Sequence, residues 1–158
     1  AQGRIVSRTD FAQHLVAAGH AASVRDVFKR FLVNNKPGHV PGQWADLEAV
    51  MSWIATAGGM AVIAHPARYN MSASKLRRLV GEFRECGGIG IEVVSGSHTR
   101  DNIIAMAALS RNEGMLASCG SDYHGPEQSW QELGKPMILP EGCVPIWQDW
   151  DVAEGVSE

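Results

Sequence analysis

The segment Gly120-Ser121-Asp122-Tyr123-His124-Gly125 combines residue types that carry out hydrolytic chemistry in proteins. It follows the apolar run 115–119, which is typical of a short buried strand. Asp122 and His124 are therefore expected to project from a strand end, between glycines that allow close approach of the backbone. A second apolar run leads directly into His65. Because imidazole binds Zn, Fe and Mn while carboxylate binds harder ions, the two strand ends predict a hydrolytic metal site.

Alternating strand and helix patterns must position these side chains. Strands are predicted at 60–65, 89–94 and 115–119, with helices at 73–86 and 101–112 between them. This rhythm is typical of βα units that build a parallel sheet. Ligands of such sheets bind at the carboxyl ends of the strands, so the residues that follow the three strands are expected to lie close together.

Further polar residues follow the first two strands. Arg68 is well placed to hold a phosphate with its guanidinium fork, although an ordinary surface cation is the alternative. Ser95–His98 is either an anion-binding loop or a simple helix cap. Glu92 alternates with apolar neighbours, and a carboxylate that points into the site is costly unless it is paired or metal-bound. The corresponding alternatives are a structural imidazole at His65 and a turn-capping carboxylate at Asp122.

The first part of the chain, to about residue 57, is predicted to be helical. Ser7 and Asp10 have the spacing of a capping box, with Asp in place of the usual Glu. Ser23 is predicted to cap a second helix, and a third is expected to start at Gln43 or Trp44. The last 30 residues are predicted to be irregular, with one short strand at 137–139.

Composition excludes several classes of function. The 158 residues are 45% hydrophobic and 20% charged, with a net charge of −3, which gives no case for non-specific binding to DNA or membranes. No apolar run approaches the roughly 20 residues that span a bilayer. The three cysteines form no Cys-x-x-Cys pair, which predicts reduced thiols and a cytoplasmic protein.

Three motifs resemble the later motifs of the PHP (polymerase and histidinol phosphatase) superfamily. They are AVIAHPARY at 61–69, GIEVVSGSH at 90–98 and GSDYHG at 120–125. The chain is most similar to the branch of nucleoside-3′,5′-bisphosphate phosphatases, which are also described as 5′–3′ exoribonucleases acting on short RNA. The helical segment 24–32 and PGQW at 41–44 fit that branch too, so the resemblance covers nearly the whole chain.

The resemblance implies an α/β fold, namely part of a distorted (β/α)7 TIM-like barrel. Residues 1–57 would be a helical insertion, and residues 58–158 would be C-terminal βα units of the barrel. The family's opening His-x-His motif and the ligands that follow it lie upstream of anything present here. The chain is therefore expected to be the C-terminal part of such an enzyme and to be inactive when isolated.

The resemblance also implies a cluster of two or three divalent ions (Mn, Fe, Zn or Mg) that activates water for attack on a phosphoester. His65, Asp122 and His124 would be catalytic metal ligands, and Arg68 and His98 would hold the substrate phosphate. The substrate would be a small nucleotide or short RNA. Two alternatives stay open: a phosphatase for another small phosphomonoester such as histidinol phosphate, and a non-catalytic, metal-poor binding or regulatory domain.

One segment departs from the family pattern. Where the family usually has Thr-His-Phe-Ala-Arg, this chain has Thr9-Asp10-Phe11-Ala12-Gln13, which lacks both an imidazole and a cation. Asp10 would still suit a hard metal ion, and Glu92 is a further candidate ligand. Either Asp10 binds metal, or the substitution marks a member with altered activity.

Overall fold

The computed structural model describes residues 6–33, 35–123, 133–135 and 137–150. The helices are α1 (Arg8–Ala17), α2 (Val24–Val27), α3 (Leu47–Thr56), α4 (Ala73–Glu85) and α5 (Arg100–Glu113). The strands are β1 (Val62–Ile63), β2 (Gly90–Ser95) and β3 (Leu116–Gly120). The chain divides into two compact units, Ala1–Trp44 and Ala45–Glu158.

The first unit is helical, as the sequence predicts. Ser7 starts α1 with a complete capping box, in which its side chain and that of Asp10 each bind the other residue's backbone N–H. Ser23 caps α2 by accepting a hydrogen bond from the Asp26 N–H. The chain then continues as a π-helical turn, Phe28–Leu32, where the apolar spacing predicted an uninterrupted α-helix.

The third helix belongs to the second unit. It starts at Leu47, later than expected, because the backbone of its N-cap Asp46 is extended. The sequence grouped this helix with residues 1–57, whereas the compact units divide between Trp44 and Ala45. The assignment of 1–57 as an insertion stays a prediction.

The sheet is parallel, and its strands lie in chain order, β1-β2-β3. Val62 is paired with Gly90, which in turn is paired with Leu116. The prediction of βα units with a parallel sheet is therefore confirmed for this part of the chain. The register of β2 against β3 shifts between Glu92 and Val94, as in a β-bulge, so that Val93 has no residue opposite it on β3. A complete barrel needs more strands than these three, so the barrel stays a prediction.

One core holds the second unit together. Its centre is the apolar side of the sheet, where Ile91, Val93 and Ala117 are fully buried. Val80 of α4 is also fully buried in this cluster, and α5 packs against β2, β3 and α4. The longest described helix, α5, has 14 residues, and no helix within the described ranges is long and apolar enough to cross a membrane.

The prediction of a strand at Met137–Leu139 is wrong, because these residues are irregular. A later segment, residues 144–146, lies instead along the edge of β3 that does not pair with β2. Ala117 donates its N–H to the Val144 carbonyl at 2.7 Å and accepts from the Ile146 N–H at 2.9 Å. These two hydrogen bonds form a short parallel bridge between Ala117 and Pro145.

Replacement of Gly88 with alanine is expected to destabilise the second unit. A β-carbon at this position would overlap the ring of Phe83, which is only 5% exposed. Overpacking of this kind costs about 1–3 kcal/mol in the free energy of unfolding, which denaturant titration measures.

The matched control is Gly81→Ala on the adjacent helix α4, where an added β-carbon meets no atom within 4 Å. That change should stabilise the protein by up to about 1 kcal/mol, since alanine favours helix over glycine. Equal effects of the two substitutions would show that the contact with Phe83 is not the cause.

Candidate active site at the carboxyl ends of the strands

His65 occupies an unusual backbone conformation directly after β1. Its φ and ψ are 32° and 53°, in the left-handed region that residues other than glycine seldom adopt. Pro66 follows and starts a short 3₁₀ helix that ends at Arg68. The His65 N–H donates to Oε2 of Glu92 at 2.6 Å, which links the end of β1 to β2.

Arg68 and Asp122 meet across the strand ends. Arg68 Nη1 lies 3.1 Å from Oδ2 of Asp122, although the two residues follow β1 and β3, which flank β2 in the sheet. The Asp122 side chain is 9% exposed and that of Arg68 is 55% exposed. Asp122 also has a positive φ, of 53°. The structure thus brings together two residues that the sequence assigned to the site.

Glu92 lies between these two strand ends, on the middle strand. One carboxylate oxygen, Oε2, accepts the His65 N–H. The other, Oε1, lies only 2.6 Å from the position that a β-carbon on Gly120 would occupy, which is too close for such an atom. Burial raises the pKa of the Tyr69 phenol above its usual value, and the negative charge of Glu92 raises it further. The same two causes, in the same order, raise the pKa of the Cys119 thiol. The carboxylate is therefore close to β1 and β3 alike.

His98 lies in the loop between β2 and α5. Its Nδ1 is 3.1 Å from the Val93 carbonyl, which can only accept, so Nδ1 carries a proton. Ser95 and Ser97 in the same loop share a hydrogen bond of 3.1 Å between their hydroxyls. Helix α5 is capped by Thr99, whose side chain accepts from the Asn102 N–H. The cap of α5 is therefore Thr99 and not the segment Ser95–His98, and anion binding by that loop stays a prediction.

Two buried imidazole nitrogens lack a hydrogen-bond partner within the described part of the chain: Nδ1 of His65 and Nε2 of His98. Leaving a buried polar atom unsatisfied is costly, and a metal ion or a substrate group would satisfy each nitrogen. These donors fit the divalent metal that the sequence implies. Between residues 6 and 150, the described residues contain no group of three His, Cys, Asp or Glu side chains arranged for a metal ion. His124 lies outside the described residues, so its predicted convergence with His65 and Asp122 stays a prediction.

Asp10 has a structural role in the first unit. Its Oδ2 accepts from the backbone N–H of Ser7 at 2.8 Å and from the Ser7 hydroxyl at 2.7 Å. The first contact, together with the hydrogen bond from the Asp10 N–H to the Ser7 hydroxyl oxygen at 3.3 Å, forms the capping box of α1. A role for Asp10 as a metal ligand stays a prediction.

Two features near the site were not assigned from the sequence. Tyr69 packs edge-on to His65, with ring centroids 6.1 Å apart and planes at 89°. The only sequence signal was an aromatic residue four positions after a candidate ligand. Gly120 was noted as permitting close approach, and the structure shows that the approaching group is the carboxylate of Glu92.

Comparison with known proteins identifies relatives over the whole chain. It is 46% identical over 145 residues to a 3′,5′-nucleoside bisphosphate phosphatase from Chromobacterium violaceum, a match that spans 92% of this chain and 51% of the relative. It is 43% identical over 158 residues to the 5′-3′ exoribonuclease Rnm from Escherichia coli (strain K12), spanning 100% of this chain and 54% of the relative. The chain is a homologue of these enzymes. No protein-family model matches it.

This chain is also similar to a solved structure. An amidohydrolase from Chromobacterium violaceum, solved with bound sulfate and no metal, superimposes with a TM-score of 0.81 at 47% identity. The match covers 90% of this chain and 49% of that chain. The predicted resemblance to the phosphatase and exoribonuclease branch is thereby confirmed. This chain spans about half the length of the curated relatives that it matches.

Proposed function

We propose that the full-length protein is a metal-dependent phosphoesterase that hydrolyses nucleoside 3′,5′-bisphosphates or the 5′ ends of short RNA. The observation that carries the proposal is the 3.1 Å contact between Arg68 and Asp122 at the carboxyl ends of the strands. This contact supports the proposed pairing of a phosphate-binding cation with a metal-binding carboxylate. The relatives, a nucleoside bisphosphate phosphatase and exoribonucleases, support the same chemistry.

The proposed metal ligands of this chain are His65, Asp122 and His124, with Asp10 and Glu92 as further candidates. The unsatisfied Nδ1 of His65 supports the assignment, since a buried polar atom requires a partner. Two or three divalent ions (Mn, Fe, Zn or Mg) would occupy the complete site. When bound, such ions lower the pKa of water and neutralise charge on a phosphoryl group.

The proposed phosphate-binding residues are Arg68 and His98. Arg68 contacts Asp122 through Nη1, and a guanidinium has five N–H donors, so its remaining N–H groups would suit a phosphate. Nδ1 of His98 is directed to the Val93 carbonyl, so the phosphate would be contacted by Nε2. A charged imidazole would donate from Nε2, whereas a neutral one would only accept there.

The structural frame is part of the proposal. We assign the parallel sheet to a distorted (β/α)7 barrel, with residues 1–57 as a helical insertion and residues 58–158 as βα units of the barrel. A cytoplasmic location fits the three cysteines, all of which are free thiols.

Two assays of the purified full-length protein test the proposal: phosphate release from nucleoside 3′,5′-bisphosphates and mononucleotide release from short RNA. With Mn²⁺, nucleoside 3′,5′-bisphosphates and short 5′-phosphorylated RNA should be hydrolysed, and EDTA should abolish the reaction. Histidinol phosphate is the comparison substrate, and its preferential hydrolysis would support the alternative phosphatase. Metal-independent binding of nucleotides without turnover would identify a binding domain and contradict the proposal.

A further inference from the structure

We propose that Glu92 is a positioning residue for His65. Its carboxylate holds the His65 backbone N–H and thereby fixes the direction of the imidazole at the strand ends. The inference rests on the proposed function, because the imidazole matters only if His65 serves the site. It gives Glu92 a different role from that of a metal ligand.

The first support is the hydrogen bond itself. Oε2 of Glu92 accepts the His65 N–H at 2.6 Å. Hydrogen bonds from a backbone N–H to an ionised carboxylate are shorter and stronger than those between neutral groups. The bond joins Glu92 on β2 to His65, which lies two residues beyond the end of β1, so it orients this end of β1 relative to β2.

The second support is the backbone conformation that the bond holds. A φ of 32° is unfavourable for any residue with a β-carbon, and His65 needs surrounding contacts to maintain it. The carboxylate of Glu92 supplies one such contact on the N-terminal side of the residue. Pro66, which is buried, restricts the chain on the other side. Loss of the carboxylate would therefore let His65 relax towards a more favourable φ.

The third support is the way in which the carboxylate itself is confined. Oε1 lies 2.6 Å from the position of a β-carbon on Gly120, so only glycine there leaves room for it. The shift in β-sheet register immediately after Glu92 changes the course of the strand at this point. Glycine at position 120 thus allows Glu92 to contact β1 and β3 at once.

Two substitutions of Glu92 in the full-length protein separate the roles. Glu92→Gln keeps an oxygen that accepts the His65 N–H, whereas Glu92→Met keeps the length of the side chain without an acceptor. The readouts are hydrogen exchange of the His65 amide by NMR, bound metal by elemental analysis, and kcat/KM. We expect Gln to retain amide protection and most of the metal, with kcat/KM lower by only a few-fold. We expect Met to lose the protection and to bind metal ~10–100-fold more weakly, as for other residues that orient ligands.

Gly120→Ala provides an independent test, because it displaces the Glu92 carboxylate without changing its chemistry. It should reproduce the loss of His65 amide protection and of metal affinity seen with Glu92→Met. Gly81→Ala, where the added methyl group meets nothing, is the matched control and should change neither.

Several outcomes would overturn the inference. If Glu92→Gln loses metal while the His65 amide stays protected, Glu92 is itself a ligand. If Glu92→Met leaves amide protection, metal affinity and kcat/KM unchanged while His65→Ala is inactive, Glu92 does not position His65. An active His65→Ala variant would instead contradict the proposed function, so the two failures are distinguishable.

Discussion

His65→Ala is expected to lower kcat/KM for a nucleoside 3′,5′-bisphosphate by on the order of a thousand-fold or more in the full-length protein. The imidazole has a buried nitrogen without a hydrogen-bond partner among the described residues, and it follows β1 at the end where Arg68 and Asp122 meet. Removing it should also reduce the bound metal. Steady-state kinetics with excess Mn²⁺ and elemental analysis of the purified variant would measure both effects.

His14→Ala is the matched control for this experiment, since His14 is exposed on α1. It should change neither metal content nor kinetics. Wild-type activity in His65→Ala would remove His65 from the catalytic machinery and leave it as a structural residue. Loss of activity with unchanged metal content would point to a role for the imidazole at the substrate.

Arg68→Met is expected to reduce kcat/KM by roughly a hundred-fold, the effect of losing one charged contact that stabilises the transferred phosphoryl group. Arg68→Lys should recover only part of the loss, because an ammonium group cannot bind phosphate and the Asp122 carboxylate with the geometry of a guanidinium. Initial-rate kinetics would show whether KM, kcat or both change.

Arg78→Met offers a matched control. Arg78 is also paired with a carboxylate, Glu82 at 3.5 Å, but it lies on α4 and its side chain is 75% exposed. Exposed ion pairs of this kind contribute little, so kinetics should be unchanged. If Arg68→Met were as active as Arg78→Met, the Arg68–Asp122 contact would be a surface ion pair only.

Local signals in the sequence located most helices and strands of this chain. Ser7 and Ser23 were identified as caps because their side chains satisfy N–H groups that the first turn leaves unpaired, and both form those bonds. The three strands follow from apolar runs between helical patterns, and each lies within a few residues of its predicted range. Short-range chemistry was sufficient for these features.

Features that depend on distant contacts were not predictable in this way. The π-helical turn at Phe28–Leu32 has the same apolar spacing as an α-helix, so periodicity did not distinguish the two. The apolar residues 137–139 matched a strand pattern, but the backbone of β3 pairs instead at Pro145. Pairing is decided by the partner that the tertiary structure brings close, which the pattern of one segment does not contain.

In the candidate site, too, some features were predictable from the sequence and others depend on distant contacts. The residue types after each strand predicted that Arg68 and Asp122 belong together, because parallel strands end at one edge. Alternation placed Glu92 opposite to its apolar neighbours, but it did not reveal that the carboxylate binds the backbone of His65. That contact depends on the left-handed backbone of a residue 27 positions away, which has no signature in the residue types.

The strand order β1-β2-β3 has a consequence for how the protein is made. A ribosome releases the chain from its amino end, so β1 emerges before β2 and β2 before β3. Each new strand pairs with the one synthesised just before it, between residues 62 and 90 and then between 90 and 116. The cost of closing such loops rises only slowly with their length. The sheet can therefore be assembled progressively during translation, and His65 and Glu92 can meet before Asp122 has been synthesised.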